Sequence, residues 1–313
     1  MMRRSAIAWL RFIGPRNRGC VYAGTAAASS AFSRHLPGSN RPRRRRDSWR
    51  SGMSEPSGEL LQVRYEGSIA VITFNNPKRM NALNLAMRMT MYERLLEIEA
   101  NEACRAIVLT GAGSNFCSGG DISEMAQRQV LAARMRMDLP TRIIRLLVTG
   151  PKPFLCAAEG NAFGLGVSLV AASDFAVAAA DTKFSCAFIK VGLIPDFGGL
   201  WSIARKVGHR KAMEMAAFAE TYDAQQALDM QLINRICEPG QAFAVTMEAA
   251  EKLAKNPPVA MALLRSALNT GNDTLDQSIA TEINFVSVLQ HTDDFGEATR
   301  AFMEKRKPNF TGR

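Results

Sequence analysis

The chain predicts an α/β domain followed by a helical C-terminal region. Short apolar strands alternate with helices from residue 60 to about 185, which is the pattern of a sheet covered by helices. From Leu200 onward the apolar positions recur almost entirely at helical spacing. Between these halves lies the stretch that the rest serves, Ala157 to Gly199. There a strand breaks into the glycine-rich turn Gly160-Asn-Ala-Phe-Gly164-Leu-Gly166 before an apolar helix. A second turn, Gly192 to Gly199, carries Asp196 ahead of another helix.

Leu60 to Tyr65 and Ser68 to Phe74 predict two strands joined at Glu66-Gly67, a hairpin signal. Asn75 to Leu83 is a loop, and Asn84 is a fair N-cap for a helix from Leu85 to Glu99. Ala106 to Thr110 suits a strand buried on both faces. The loop Gly111 to Gly120 is expected to turn helical near Asp121, and Met135 to Thr149 predicts one helix. Phe154 to Ala158, Phe175 to Ala178 and Thr182 to Phe184 are the remaining strands, with a helix from Val167 to Ala172. Helices are then predicted over 200–207, 210–219, 224–230, 241–255, 258–270, 274–289 and 293–305.

The net charge of +10 belongs to one end. Residues 1–52 hold twelve arginines against the single acid Asp47, so the remainder of the chain is close to neutral. We expect residues 1–57 to be a disordered basic tail, with a globular core over 58–255 and a helical region over 256–313. Three origins fit the tail, in this order: residues upstream of a natural start at Met53, an arginine-rich and acid-poor transit peptide, or a nucleic-acid arm. The first goes with a cytoplasmic location and the second with the mitochondrial matrix. Nucleic acid is the weakest expectation. No apolar run reaches the roughly 18 residues of a membrane span.

Six cysteines, none in a C-x-x-C pair, are expected to be buried free thiols of a reducing compartment. Three scattered histidines make no metal site; His209 and His291 are each expected to open a helix.

Helix N-termini present free N–H groups and partial positive charge, so the two glycine turns are suited to stabilising an anion. Glycines that merely permit close packing explain them equally well. The choice is made by four ordered segments: Asn76-Pro-x-x-x-Asn81-Ala-Leu; Phe116-Cys-Ser-Gly-Gly-Asp121-Ile; Gly160-x-Ala-x-Gly-x-Gly166 with Asp174; and Phe184 through Gly-Leu-Ile-Pro-Asp196-x-Gly-Gly199. Together they resemble the crotonase superfamily, the enoyl-CoA hydratases and isomerases, over about residues 58–313.

The resemblance implies a spiral of ββα units with a helical trimerisation region, a homotrimer or hexamer, and an acyl-CoA thioester as substrate. It implies no metal and no cofactor beyond the coenzyme A of the substrate itself. Two backbone N–H groups would hold the thioester oxygen as it becomes an enolate, and these fall on Gly120 and Leu165. Losing one such donor typically costs ~10²–10³ in rate.

The resemblance also exposes a departure. Hydratases of this superfamily carry two glutamates that activate water; here their positions are Ser168 and Phe188. Efficient hydration by two carboxylates is therefore not expected. The acid that isomerases, including ring-epoxide isomerases of phenylacetyl-CoA degradation, carry in the second turn is present as Asp196. An N-cap role for Asp196 is the competing explanation. Glu159 is a lesser alternative base, and Asp174 is expected to be structural. Similar dehalogenases need a histidine base that this chain lacks, since none lies between His35 and His209.

The resemblance places coenzyme A near Lys78, Arg79 and Ala82, near Asp121 and Ile122, and on the last helix at Phe302, Lys305 and Lys307. Phe302 is equally expected to be core. Phe188 stands on the substrate side. Leu131, Met125, Met135 and Met137 would either line a soft acyl pocket or form helical core. The expected activity is double-bond isomerisation of a 3-enoyl-CoA, with weak hydration, epoxide-type isomerisation or non-catalytic acyl-CoA binding as rivals.

Overall fold

The computed structural model describes residues 59–125, 129–269, 271 and 274–313. The basic tail expected over 1–57 lies outside them.

Leu61–Glu66 (β1) and Ile69–Phe74 (β2) form the expected antiparallel hairpin, with Gly67 at φ +59°. The strands Ala106–Gly111 (β3), Phe154–Ala158 (β4), Phe175–Ala179 (β6) and Arg235–Cys237 (β8) then add in parallel, in the order β1-β2-β3-β4-β6-β8. A second, parallel pair joins Asn161–Phe163 (β5) to Lys183–Ser185 (β7).

Side chains alternate across the main sheet, and each face has its own core. Ala70, Ile72, Phe74, Ile107, Leu109 and Cys156 point toward Leu85–Ala100 (α1), Asp138–Thr149 (α3) and Leu165–Ala172 (α4). Ile69, Val71, Val108, Leu155 and Val177 point the other way, toward Ala242–Ala254 (α8). That is why these strands read as unbroken apolar runs.

Asn84 caps α1 as predicted, its side chain accepting from the Met87 N–H. The single helix expected over 135–149 is two, Val130–Arg136 (α2) and α3, broken at Met137. Pro140 explains the break: it has no N–H to give the Arg136 carbonyl one turn back. The turn after Asp121 is a short 3-10 segment, Ile122–Met125. The strands β5 and β8 were not foreseen.

Beyond these come Gly199–Val207 (α5), His209–Phe218 (α6), Ala224–Asp229 (α7), Pro258–Asn269 (α9), Leu275–Leu289 (α10) and Asp293–Met303 (α11). His209 opens α6 as expected, whereas His291 lies in the turn between α10 and α11, its Nδ1 2.8 Å from the Ser287 carbonyl. The described cysteines are all free, four of them buried. No described helix is long and apolar enough to cross a membrane.

Candidate active site

Asn81 organises the site. It is fully buried with φ +56°, a conformation asparagine tolerates better than most residues. Its Oδ1 accepts from the Asn76 N–H at 2.9 Å, and its Nδ2 donates to the carbonyls of Ala112 and Asn115 at 3.0 and 2.6 Å. One side chain thus ties the loop after β2 to the loop after β3.

The segment from Phe116 to Asp121 is then stitched on both sides. Toward the first loop, Leu83 donates to Gly119 at 2.8 Å and Asp121 donates to Leu83 at 3.1 Å. Toward β5, Cys117 donates to Asn161 at 3.0 Å and Phe163 donates to Cys117 at 2.8 Å. The Gly120 N–H takes no part in either ladder.

This stitching sets Gly119 and Gly120 against the start of α4. A Cβ on Gly119 would lie 3.7 Å from the Leu165 nitrogen, and one on Gly164 would lie 3.7 Å from the Gly119 Cα. Gly119 has φ +115° and Gly164 φ +52°, which only glycine adopts freely. Leu165 opens α4, where the first N–H groups have no acceptor inside the helix. The two N–H groups expected to bind an oxyanion are therefore brought into one place by separate glycine turns. Phe188, buried in the 3-10 segment Ala187–Val191, closes one side with its Cζ 3.9 Å from the Gly164 Cβ position.

Asp196 does not cap α5. That helix begins after Gly198, with no side-chain cap. The Asp196 Oδ1 is buried and has no hydrogen-bond partner among the described residues. Burial pushes its carboxyl above the usual carboxylate range, and the charge of Arg88 on α1 pulls partly against this. Arg88 is itself held by Glu124 at 3.2 Å. Nothing in the sequence singled out Arg88, which reads there as one polar position of an amphipathic helix.

Glu159 is fully engaged elsewhere. Its carboxylate accepts from the Ala242 and Gly240 N–H groups at 2.9 and 3.1 Å, holding the start of α8. That geometry overturns it as an alternative base. Asp174 is structural, as expected: Oδ2 accepts from the Phe154 N–H and from Arg265 Nε, each at 2.8 Å.

Arg79 reaches Asp121 at 2.7 Å, and Asp121 also accepts from Ser123 Oγ at 2.6 Å. These bonds, Ser123 first, hold the Asp121 carboxyl below its usual range. Lys78 and Ile122 are exposed and Ala82 is half-buried beside them, on the rim of the same loop pair. Lys305, Lys307 and Phe302 lie at the end of α11 and beyond; Phe302 is 83% exposed, so it is not core. Leu131, Met135 and Met137 are exposed as well, which removes them from the helical core; the Met125 side chain lies outside the described ones.

A model of the enoyl-CoA hydratase/isomerase family matches residues 64–313. The chain is 39% identical over 255 residues to a Rhodobacter capsulatus protein named "probable enoyl-CoA hydratase", covering 80% of this chain and 98% of the relative. It is 32% identical over 263 residues to the 1,2-epoxyphenylacetyl-CoA isomerase of Escherichia coli, covering 82% and 99%. The crystal structure of an enoyl-CoA hydratase from Polaromonas sp. JS666 superposes with a TM-score of 0.76 at 32% identity, covering 80% of this chain and 99% of that one. The chain belongs to the enoyl-CoA hydratase/isomerase family, with the crotonase fold.

Proposed function

We propose that the protein isomerises the double bond of a 3-enoyl-CoA, with Asp196 as its acid and base. The observation that carries this is Asp196: its Oδ1 is buried and has no hydrogen-bond partner among the described residues, and burial raises the pKa of the carboxyl. Ser168 and Phe188 stand where water-activating carboxylates would be needed, and neither can serve as a base near neutral pH.

The thioester oxygen accepts from the Gly120 and Leu165 N–H groups. That acidifies the C2 proton, because the electron pair released from the C2–H bond is spread onto the oxygen. Asp196 takes the proton. The resulting dienolate carries negative charge at C4 as well. The same carboxylic acid returns the proton to C4, and the bond between C2 and C3 becomes double as the thioester carbonyl reforms. No metal or redox group is required. A carboxylate with a raised pKa suits both halves of the shuttle.

Coenzyme A is assigned to the loop rim at Lys78, Arg79, Ala82 and Ile122, and to Phe302 and Lys305 at the end of α11. The exposed apolar side chains of α10, among them Leu275, Ile283 and Val286, are assigned to contacts between three copies. Light scattering at micromolar concentration tests that assignment: a monomer would refute it.

Ring-epoxide isomerisation is the second candidate, favoured by the Escherichia coli relative. The test is turnover of 3-hexenoyl-CoA, crotonyl-CoA and 1,2-epoxyphenylacetyl-CoA by the wild type and Asp196→Asn. Isomerisation of 3-hexenoyl-CoA that disappears in the variant, with little hydration of crotonyl-CoA, is expected. Hydration that survives Asp196→Asn would overturn the assignment. Tight binding of all three without turnover would leave only a binding role.

A further inference from the structure

The peptide unit between Gly119 and Gly120 carries one of the two N–H groups assigned to the oxyanion. A trans peptide is planar, and its C=O and N–H point in opposite directions. Whatever holds the Gly119 carbonyl therefore aims the Gly120 N–H. Two donors lie against that carbonyl: the Leu83 N–H at 2.8 Å and the Cys117 thiol, with Sγ at 3.8 Å. The same sulfur accepts from the Gly119 N–H at 3.4 Å. A thiol is a weak donor and a weak acceptor, and this one meets both polar groups of a single glycine.

The neighbouring N–H groups are occupied. Those of Cys117, Ser118 and Asp121 donate to the carbonyls of Asn161 at 3.0 Å, Met80 at 2.9 Å and Leu83 at 3.1 Å, and that of Gly119 donates to the sulfur. Among the described residues, only Gly120 in this run has an N–H without an acceptor. Buried N–H groups are normally paired, so the sulfur satisfies Gly119 and leaves Gly120 to a ligand.

Cys117 also touches the second donor's helix. Its carbonyl accepts from the Phe163 N–H at 2.8 Å, just ahead of Gly164. A Cβ on Gly166 would lie 2.4 Å from that carbonyl oxygen and 3.2 Å from Cys117 Cβ, so the first turn of α4 is seated directly on this residue. The side chain is fully buried, and burial pushes its thiol up to about 12. It therefore stays protonated and takes no part in proton transfer.

We infer that Cys117 is a positioning residue: its sulfur holds Gly119 so that the Gly120 N–H faces the thioester oxygen beside the Leu165 N–H. The inference rests on the oxyanion role of those two N–H groups and is independent of Asp196. Alanine in place of Cys117 would leave the buried Gly119 N–H without an acceptor, and the peptide would be free to turn toward another one.

The test is infrared difference spectroscopy of hexanoyl-CoA labelled with carbon-13 at the thioester carbonyl, a saturated chain with no double bond to move. Bound to the wild type, its carbonyl stretch is expected at lower frequency than in buffer, because the N–H donors polarise it. Cys117→Ala and Cys117→Ser are compared with it. Both lose the volume of sulfur, and only serine restores a side-chain donor and acceptor. Alanine is expected to lose most of the downshift and serine to keep it. The kcat for 3-hexenoyl-CoA should follow, falling up to about 10²-fold in alanine with KM changed far less, and recovering in serine.

A downshift unchanged in alanine, or lost equally in both variants, would reduce Cys117 to packing and overturn the inference. No downshift in the wild type would refute the oxyanion role of Gly120 and Leu165 itself. The infrared reading needs no turnover, so a failed isomerase assignment does not affect it. Amide exchange in the wild type tests the same point should neither variant fold: the Gly119 N–H is expected to exchange slowly, and that of Gly120 fast until hexanoyl-CoA binds. Equal exchange of the two would overturn the inference.

Discussion

Arg265 on α9 meets Asp174 at 2.8 Å while almost wholly buried, its side chain 4% exposed. The same guanidinium donates to the carbonyls of Leu147, at 2.8 Å, and Gly150. It therefore binds the C-terminal region to α3, to the end of α4 and, through Asp174, to β4. Breaking a buried pair by removing one partner strands the other charge. Arg265→Ala is expected to lower the unfolding free energy by about 3–5 kcal/mol in urea melts.

Gly199 is the residue that lets α5 approach α4. A methyl group there would fall 2.3 Å from Ser168 Oγ and 3.2 Å from Ser168 Cβ. Gly199→Ala should cost about 1–3 kcal/mol, the usual penalty of overpacking. It should also cut isomerisation, because relief requires the Asp196 turn to move. Adding Ser168→Ala should restore part of the stability, because it removes the atom that the new methyl group meets first. Equal melts for Gly199→Ala and wild type would show that the junction has room.

Gly164 tests the oxyanion site without touching a side chain. Its Cβ position is open, 3.7 Å from the nearest atom, so Gly164→Ala is not a clash. The cost comes from φ +52° with ψ −117°, which alanine resists. Relaxation would turn the Leu165 N–H away. The expected result is kcat lower by roughly 10²–10³ with KM changed far less.

The Asp196 carboxyl gives a paired prediction for rate and stability. Its folded pKa lies above its unfolded value, chiefly through burial. As a base it acts only when ionised, so kcat/KM should fall in acid with a limb above the ordinary aspartate value of about 3.9. For stability the sign is the reverse of a salt-bridged aspartate. Ionisation is harder in the folded state, so folding is penalised as pH rises above the unfolded pKa. Asp196→Asn should therefore melt higher than wild type at pH 7, and the difference should vanish near pH 3. A less stable variant at pH 7 would mean that the carboxylate is paired in solution.

The sequence was informative wherever chemistry was local. Asn84 as a cap, Glu66-Gly67 as a hairpin turn and Asp174 as a structural acid depend on neighbours or on a simple pattern. The two N–H groups were legible only through the family resemblance, because glycine turns ahead of helices serve close packing as well as anion binding. The strand β5 was missed because it hides within the glycine turn and pairs with distant segments, β7 some twenty residues on and Cys117 some forty-five residues back. The strand β8 is three residues long and pairs with β6 across a long excursion. Neither has a local signal.

The amino-acid sequence alone pointed to the family and the α/β class, and it raised the expectation that Ser168 and Phe188 replace two glutamates while Asp196 remains as the acid. Only the tertiary structure decided what each remaining acid does. Glu159 is spent on the start of α8, Asp174 on Arg265, and Asp121 on Arg79 and Ser123. Asp196 alone among these four is left with a buried oxygen that has no partner. The reason is physical. A carboxylate's reactivity is set by what surrounds its oxygens, and those surroundings come from chain segments tens of residues away.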